Sequence, residues 1–145
     1  MLHQGAEAIV HAGTWMGRQA ILKQRQPRTW RHPDLDARLT KSRMSAEVRL
    51  LRRLHLAGCP VPELLSVDVS AGWIVTSRVP GGPLFDHLRS GGDAGMLEEL
   101  GSIIREIHAV GISHGDLTTH NILWDDQGGL SIIDFGLSQI TDDLE

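Results

Sequence analysis

Apolar and polar positions alternate over residues 6–11 (AEAIVH), and a short apolar run fills residues 19–23 (QAILK). The pattern predicts two strands joined by a turn at 13–17, so the chain opens as a hairpin. Residues 24–38 are polar, basic and interrupted by Pro27 and Pro33, which predicts a loop or short helix rather than a core element. The apolar spacing over residues 41–57 predicts the clearest helix, stopped by Gly58 and the prolines at 60 and 62. Residues 63–70 and 73–79 read as a second hairpin around Ala71-Gly72, and Pro80-Gly81-Gly82-Pro83 as a linker between two subregions. A short helix near 84–89, a longer one from about 94 to 110 and a strand-rich close complete an α+β pattern.

One position breaks the apolar stripe of the main helix. At 100° per residue, Met44, Leu50, Leu51 and Leu54 all fall within about 60° of Glu47, so a carboxylate sits in the middle of the core-facing surface. Buried without a partner it would cost several kcal/mol, so a cation is expected to reach it from the packed sheet. Lys23, at the end of the strand AILK, is the natural choice. A surface pairing with Arg43, one turn earlier on the helix, is the other reading of the same residues.

Composition narrows the class. The chain has 145 residues, 41% apolar and 22% charged, within the range of a single soluble domain or a fragment of one. Its single cysteine, Cys59, cannot form a disulfide within the chain and points to a reducing compartment. No apolar stretch is long enough to span a membrane and the first residues do not have the form of a signal peptide, so the expectation is a cytoplasmic or nuclear protein with no membrane partner. The histidines lack ligand spacing, which argues against zinc. Charge is unevenly placed. The net charge is −4, but residues 18–53 hold eleven basic residues against Asp34, Asp36 and Glu47, while residues 111–145 have seven acids and no Lys or Arg. Such a division suits a bound polyphosphate with magnesium, or simply two solvated faces.

The strongest chemical signal lies in residues 113–136, SHGDLTTHNILWDDQGGLSIIDFG. Residues 121–124 and 130–133 read as strands of a hairpin closed by residues 125–129. Closing it simply sets Trp124 opposite Leu130 and Asn121 opposite Ile133, which brings Asn121 beside Asp134, with Asp116 on a loop entering the same corner. Three oxygen-bearing side chains with no neighbouring Lys or Arg call for a cation. The spacing D-x4-N, then thirteen residues to D-F-G, is that of the catalytic loop and metal site of protein kinases and their relatives. In that reading Asp116 accepts or orients the attacking hydroxyl, Asn121 and Asp134 hold Mg2+, and Lys23, held by Glu47, takes the α- and β-phosphates of ATP. A full GxGxxG loop is missing; Gly5, Ala6 and Glu7 offer backbone N–H groups at the place where it would lie.

The segments QGAEA (4–8), ILK (21–23), RHPDLDARLTKSRMSAEVRLL (31–51), HGDLTTHNIL (114–123) and IDFGLSQITDDLE (133–145) resemble the PRPK-type small atypical kinases of the KEOPS (EKC) complex. The resemblance runs over nearly the whole chain; RHP-LD before the helical glutamate and Thr118-Thr119 in the catalytic loop are its specific marks. It implies a two-lobed protein-kinase-like α+β fold, with an antiparallel-sheet N-lobe over residues 1–80 and a partial helical C-lobe over residues 81–145. It also implies ATP and Mg2+ as cofactors, serine/threonine kinase or ATPase activity, and support of threonylcarbamoyladenosine formation on tRNA. The partners implied are a tRNA-modifying synthase subunit, a small adaptor subunit and, through the complex, tRNA.

Three departures qualify the resemblance. Family members continue past DDLE, so a C-terminal truncation is expected. Gly115 stands where typical HRD kinases carry arginine, a change the family shares, which removes a receptor for an activation-loop phosphate. Pro80 removes one N–H from the hinge-like VPGG, leaving the backbone near Arg78 and Val79 for adenine. A small-molecule phosphotransferase of the aminoglycoside or choline kinase type, or an adaptor-binding module with weak catalysis, are the competing functions.

Overall fold

The computed structural model describes residues 3–4, 8–25, 32–91, 95–113, 121–127, 129–133 and 139–140. The element order is β1 (His3–Gln4), β2 (Ala8–Trp15), β3 (Arg18–Arg25), α1 (Pro33–Leu56), β4 (Leu64–Asp68), β5 (Trp73–Ser77), β6 (Gly82–Pro83), α2 (Leu84–Arg89), α3 (Leu97–Ala109), β7 (Ile112–Ser113), β8 (Ile122–Asp125), β9 (Gly129–Ile132) and β10 (Gln139–Ile140). The chain divides into two units, Met1–Arg49 with Glu63–Arg78, and Leu50–Pro62 with Val79–Glu145. The fold is α+β.

The first unit is an antiparallel sheet in the order β1-β2-β3-β5-β4. Its opening hairpin is longer, and its turn tighter, than the sequence pattern predicts. Gly13, Thr14 and Trp15 continue the ladder opposite Ala20, Gln19 and Arg18. Met16 and Gly17, with φ of 48° and 82°, make a two-residue turn of the kind that matches strand twist. Trp15 then reaches Trp73 of β5, with ring centroids 6.5 Å apart.

The main helix also begins about two turns earlier than expected. Pro33 looks like a breaker in sequence, but at the first helical position its missing N–H is no loss and its φ is already helical. His32 accepts the Asp34 N–H on Nδ1 at 3.2 Å and the Asp36 N–H on its carbonyl at 2.9 Å, and Asp34 and Asp36 suit the positive end of the helix. In the β4–β5 connection the Asp68 side chain accepts from Ala71 N–H at 2.9 Å and its carbonyl from Gly72 N–H at 2.9 Å, an Asx-type turn that Gly72 completes at φ 80°.

The second unit takes the last turns of α1, which end where Gly58 adopts φ 81° and Cys59 N–H donates back to the Leu54 carbonyl at 3.0 Å. Leu50, Leu51 and Leu54 join Leu84, Ile107, Ile112 and residues of β8 and β9 in one apolar core. A three-stranded sheet, β6-β8-β9, lies within this unit. The 80–83 segment, expected as a linker, is partly a strand: Gly82 and Pro83 pair with Trp124 and Leu123. Gly81 permits this, because at φ 95° it lies so near Trp124 that an added Cβ would sit 2.2 Å from the Trp124 carbonyl oxygen. No helix among the described residues is long and apolar enough to cross a membrane.

Candidate functional site

Strand β3 alternates its side chains, so Lys23 and Arg25 share one face with Ile21. Lys23 lies in register between Val10 of β2 and Ile74 of β5. Ile74 packs with Met44 and Val48 of α1 in a small apolar cluster, and Glu47 falls between those two helix residues. The carboxylate is 5% exposed. Lys23 Nζ donates to Glu47 Oε1 at 2.9 Å. A carboxylate this enclosed stands only because cations meet it: without them it would be buried and uncompensated. The helix stripe therefore carries its charged residue onto a sheet cation, as its spacing predicts.

A second cation accompanies the first. Arg25 Nη2 lies 3.8 Å from Glu47 Oε2, and both side chains are more than nine-tenths buried. Sequence reading passed over Arg25 because residues 24–38 read as a polar loop. The available signal was the strand period, which continues from Lys23 to Arg25 on the same face.

Asn121 immediately precedes β8, and its carbonyl accepts the Ile133 N–H at 2.9 Å, which extends the β8–β9 hairpin beyond its last strand pair. The register pairs Trp124 with Leu130 as the loop length predicts. Ile133 is the last described residue before Asp134. Asp116 and Asp134, like Gly5, Ala6 and Glu7, lie outside the described residues. Among the described residues no group of three His, Cys, Asp or Glu side chains could hold a metal ion. The backbone N–H of Arg78 donates to the Gln19 carbonyl at 3.1 Å and is thereby committed within the chain, while Val79 is half-buried.

The opposite face of the sheet from Lys23 bears a separate cavity of about 350 Å3, lined among others by His11, Trp15, Leu22, Trp73 and Val75. None of the residues assigned chemistry from sequence lines it. On α1, Arg38, Lys41, Arg49, Arg52 and Arg53 are all exposed, so the basic excess noted in sequence is largely a solvent-facing surface of this helix.

A family model described as the RIO domain matches residues 18–143. Among curated proteins, the chain is 38% identical over 146 residues to a probable bifunctional tRNA threonylcarbamoyladenosine biosynthesis protein of Methanothermobacter thermautotrophicus, covering 100% of this chain and 26% of that protein. It is 39% identical over 162 residues to the EKC/KEOPS complex subunit BUD32 of Gibberella zeae (95% of this chain, 62% of that one). To the EKC/KEOPS complex subunit Tp53rkb of Mus musculus it is 32% identical over 153 residues (97% and 63%). The chain thus spans between about a quarter and three-fifths of the length of these relatives. Among solved structures, a Rio2 kinase from Chaetomium thermophilum in complex with ADP/Mg2+ and phosphoaspartate superposes with a TM-score of 0.76 at 23% identity, over 97% of this chain and 48% of that one. WbdD, solved with a kinase inhibitor, gives a TM-score of 0.68 at 22% identity, over 95% and 32%.

Proposed function

The chain belongs to the RIO-domain family, and we propose on that premise that it is an ATP- and magnesium-dependent phosphotransferase of the Bud32 kind, acting as a serine/threonine kinase or ATPase. Its place is within a KEOPS-type assembly that supports threonylcarbamoyladenosine formation on tRNA, alongside a synthase subunit and a small adaptor subunit, in the cytoplasm or nucleus. The observation that carries the reading is the buried Lys23–Glu47 pair at 2.9 Å. A strand lysine tethered by a helix carboxylate is the arrangement that holds a nucleotide's α- and β-phosphates in kinases. The names of the relatives support the assembly and the tRNA pathway.

The donor set fits the nucleotide and its metal. The Lys23 ammonium supplies a positive charge for phosphate, and the amide of Asn121 with the carboxylate of Asp134 offers the hard oxygen ligands magnesium prefers. When bound, Mg2+ neutralises charge on the β- and γ-phosphate oxygens. Lys23 holds the phosphates and Glu47 holds Lys23. Asp116 accepts the proton of the attacking hydroxyl. With the Arg78 N–H already given to Gln19, adenine must be met by the Arg78 carbonyl or by Val79. The exposed cations of α1 supply a surface for the RNA backbone.

Transfer of labelled γ-phosphate by the purified chain, and by its Lys23→Met and Asp134→Asn variants, tests the reading. Loss of nearly all incorporation and ATP hydrolysis in both variants is expected; activity equal to the unmodified chain would overturn it.

A further inference from the structure

Glu47 is held at one oxygen only. Its Oε1 accepts from Lys23, but Oε2 is buried and accepts no hydrogen bond among the described residues. A lysine ammonium is a compact charge with no preferred plane, so it does not by itself set the orientation of a carboxylate, whose terminal torsion is broad. What faces Oε2 is the guanidinium of Arg25 at 3.8 Å, with 7% of its side chain exposed. Its backbone is tied down on both sides: it pairs with Ala8 in the ladder, and its N–H donates to the Gly72 carbonyl at 2.8 Å.

We infer that Arg25 is a positioning residue, acting on the nucleotide through Glu47: it fixes the second carboxylate oxygen and so fixes the direction in which the first holds Lys23. The inference rests on the ATP reading above and names a group that reading does not use. Two cations face one carboxylate, one at each of its oxygens. At 3.8 Å the guanidinium acts on Oε2 through its charge rather than a hydrogen bond, while the ammonium bonds Oε1, so the arginine orients and the lysine binds.

The test is a double-mutant cycle read by two methods on the chain and on Arg25→Met, Arg25→Lys, Glu47→Gln and the Arg25→Met/Glu47→Gln pair. Calorimetric titration with ADP and magnesium gives affinity, and urea unfolding gives stability. Arg25→Met is expected to weaken ADP binding roughly tenfold, and Arg25→Lys to recover only part of that, because it restores the charge without the reach of the guanidinium. In the Glu47→Gln background, Arg25→Met should change affinity by less than about twofold, since there is no longer a carboxylate to orient. The double variant, which removes one positive and one negative charge together, should regain stability lost by Arg25→Met without regaining affinity. Unchanged affinity in Arg25→Met, or an equal further loss when it is added to Glu47→Gln, would overturn the role. If the unmodified chain itself bound no ADP, the ATP reading would fall and the role with it. An unmodified chain that binds, with variants that do not differ, sinks Arg25 alone.

Discussion

Met44, Glu47 and Val48 project from α1 into the first unit and carry a carboxylate in among apolar side chains, whereas Leu50, Leu51 and Leu54, further along the same helix, project into the second unit with no polar side-chain atom among them. One continuous helix thus serves two cores built on different terms. The second unit is held by transfer of apolar surface out of water, a sum of many small contacts that tolerates no cavity but depends on no single charge. The first has a thin apolar cluster around Met44, Val48 and Ile74, and beside it an ion cluster whose members stand or fall together. Lys23, with 22% of its side chain exposed, is the member of the cluster that keeps contact with solvent.

The largest effects should separate the two cores by what is lost along with stability. Leu54→Ala empties a site that is fully buried in the second unit and should cost about 4 kcal/mol in urea unfolding, with ADP affinity unchanged for the molecules that remain folded. Glu47→Ala should cost about 3 kcal/mol, because it removes a buried carboxylate that two cations face, and it should weaken nucleotide binding as well. The comparison breaks if Leu54→Ala also removes binding, or if Glu47→Ala unfolds no more easily than the unmodified chain.

A smaller effect is expected where backbone rather than side chain makes the contact. Gly81→Ala must relieve both a φ of 95° and a Cβ placed 2.2 Å from the Trp124 carbonyl oxygen, at a cost of about 2 kcal/mol. The strain should be released by parting β6 from β8. Hydrogen exchange at Trp124 should then quicken while the amides of β3 keep their protection; equal acceleration in both would mean that the units do not open independently.

These residues also mark how far the sequence could be read. The β8–β9 register was legible because a five-residue loop flanked by short apolar strands leaves little freedom, and Trp124 does face Leu130. Glu47 was legible because a helix has a fixed period and a carboxylate in an apolar stripe demands a cation. What escaped depended on context that composition hides. Pro33 stops a helix in most positions but starts one when it follows a residue able to cap, as His32 does here. Arg25 looks like part of a basic loop until the ladder to Ala8 shows that the strand reaches it. Gly81-Gly82 looks like a linker because nothing nearby in sequence announces the Trp124 carbonyl that it lies against.

The smallest expected effect asks whether the apolar unit holds a titrating group of its own. Cys59, 6% exposed at the end of α1, packs in that core. Burial raises its thiol above the usual value of 9.0, and the charge of Glu106 adds to the shift. The folded chain therefore keeps this proton at a pH where the unfolded chain has begun to lose it. Below about 9 both states are protonated and the thiol gives no slope. Above it the unfolded state binds fewer protons, so stability falls as pH rises toward the folded value. Urea midpoints taken from pH 7 to pH 10 should decline in the alkaline range, and Cys59→Ala, although less stable at neutral pH, should decline less steeply. Parallel declines would show that the alkaline loss does not come from Cys59.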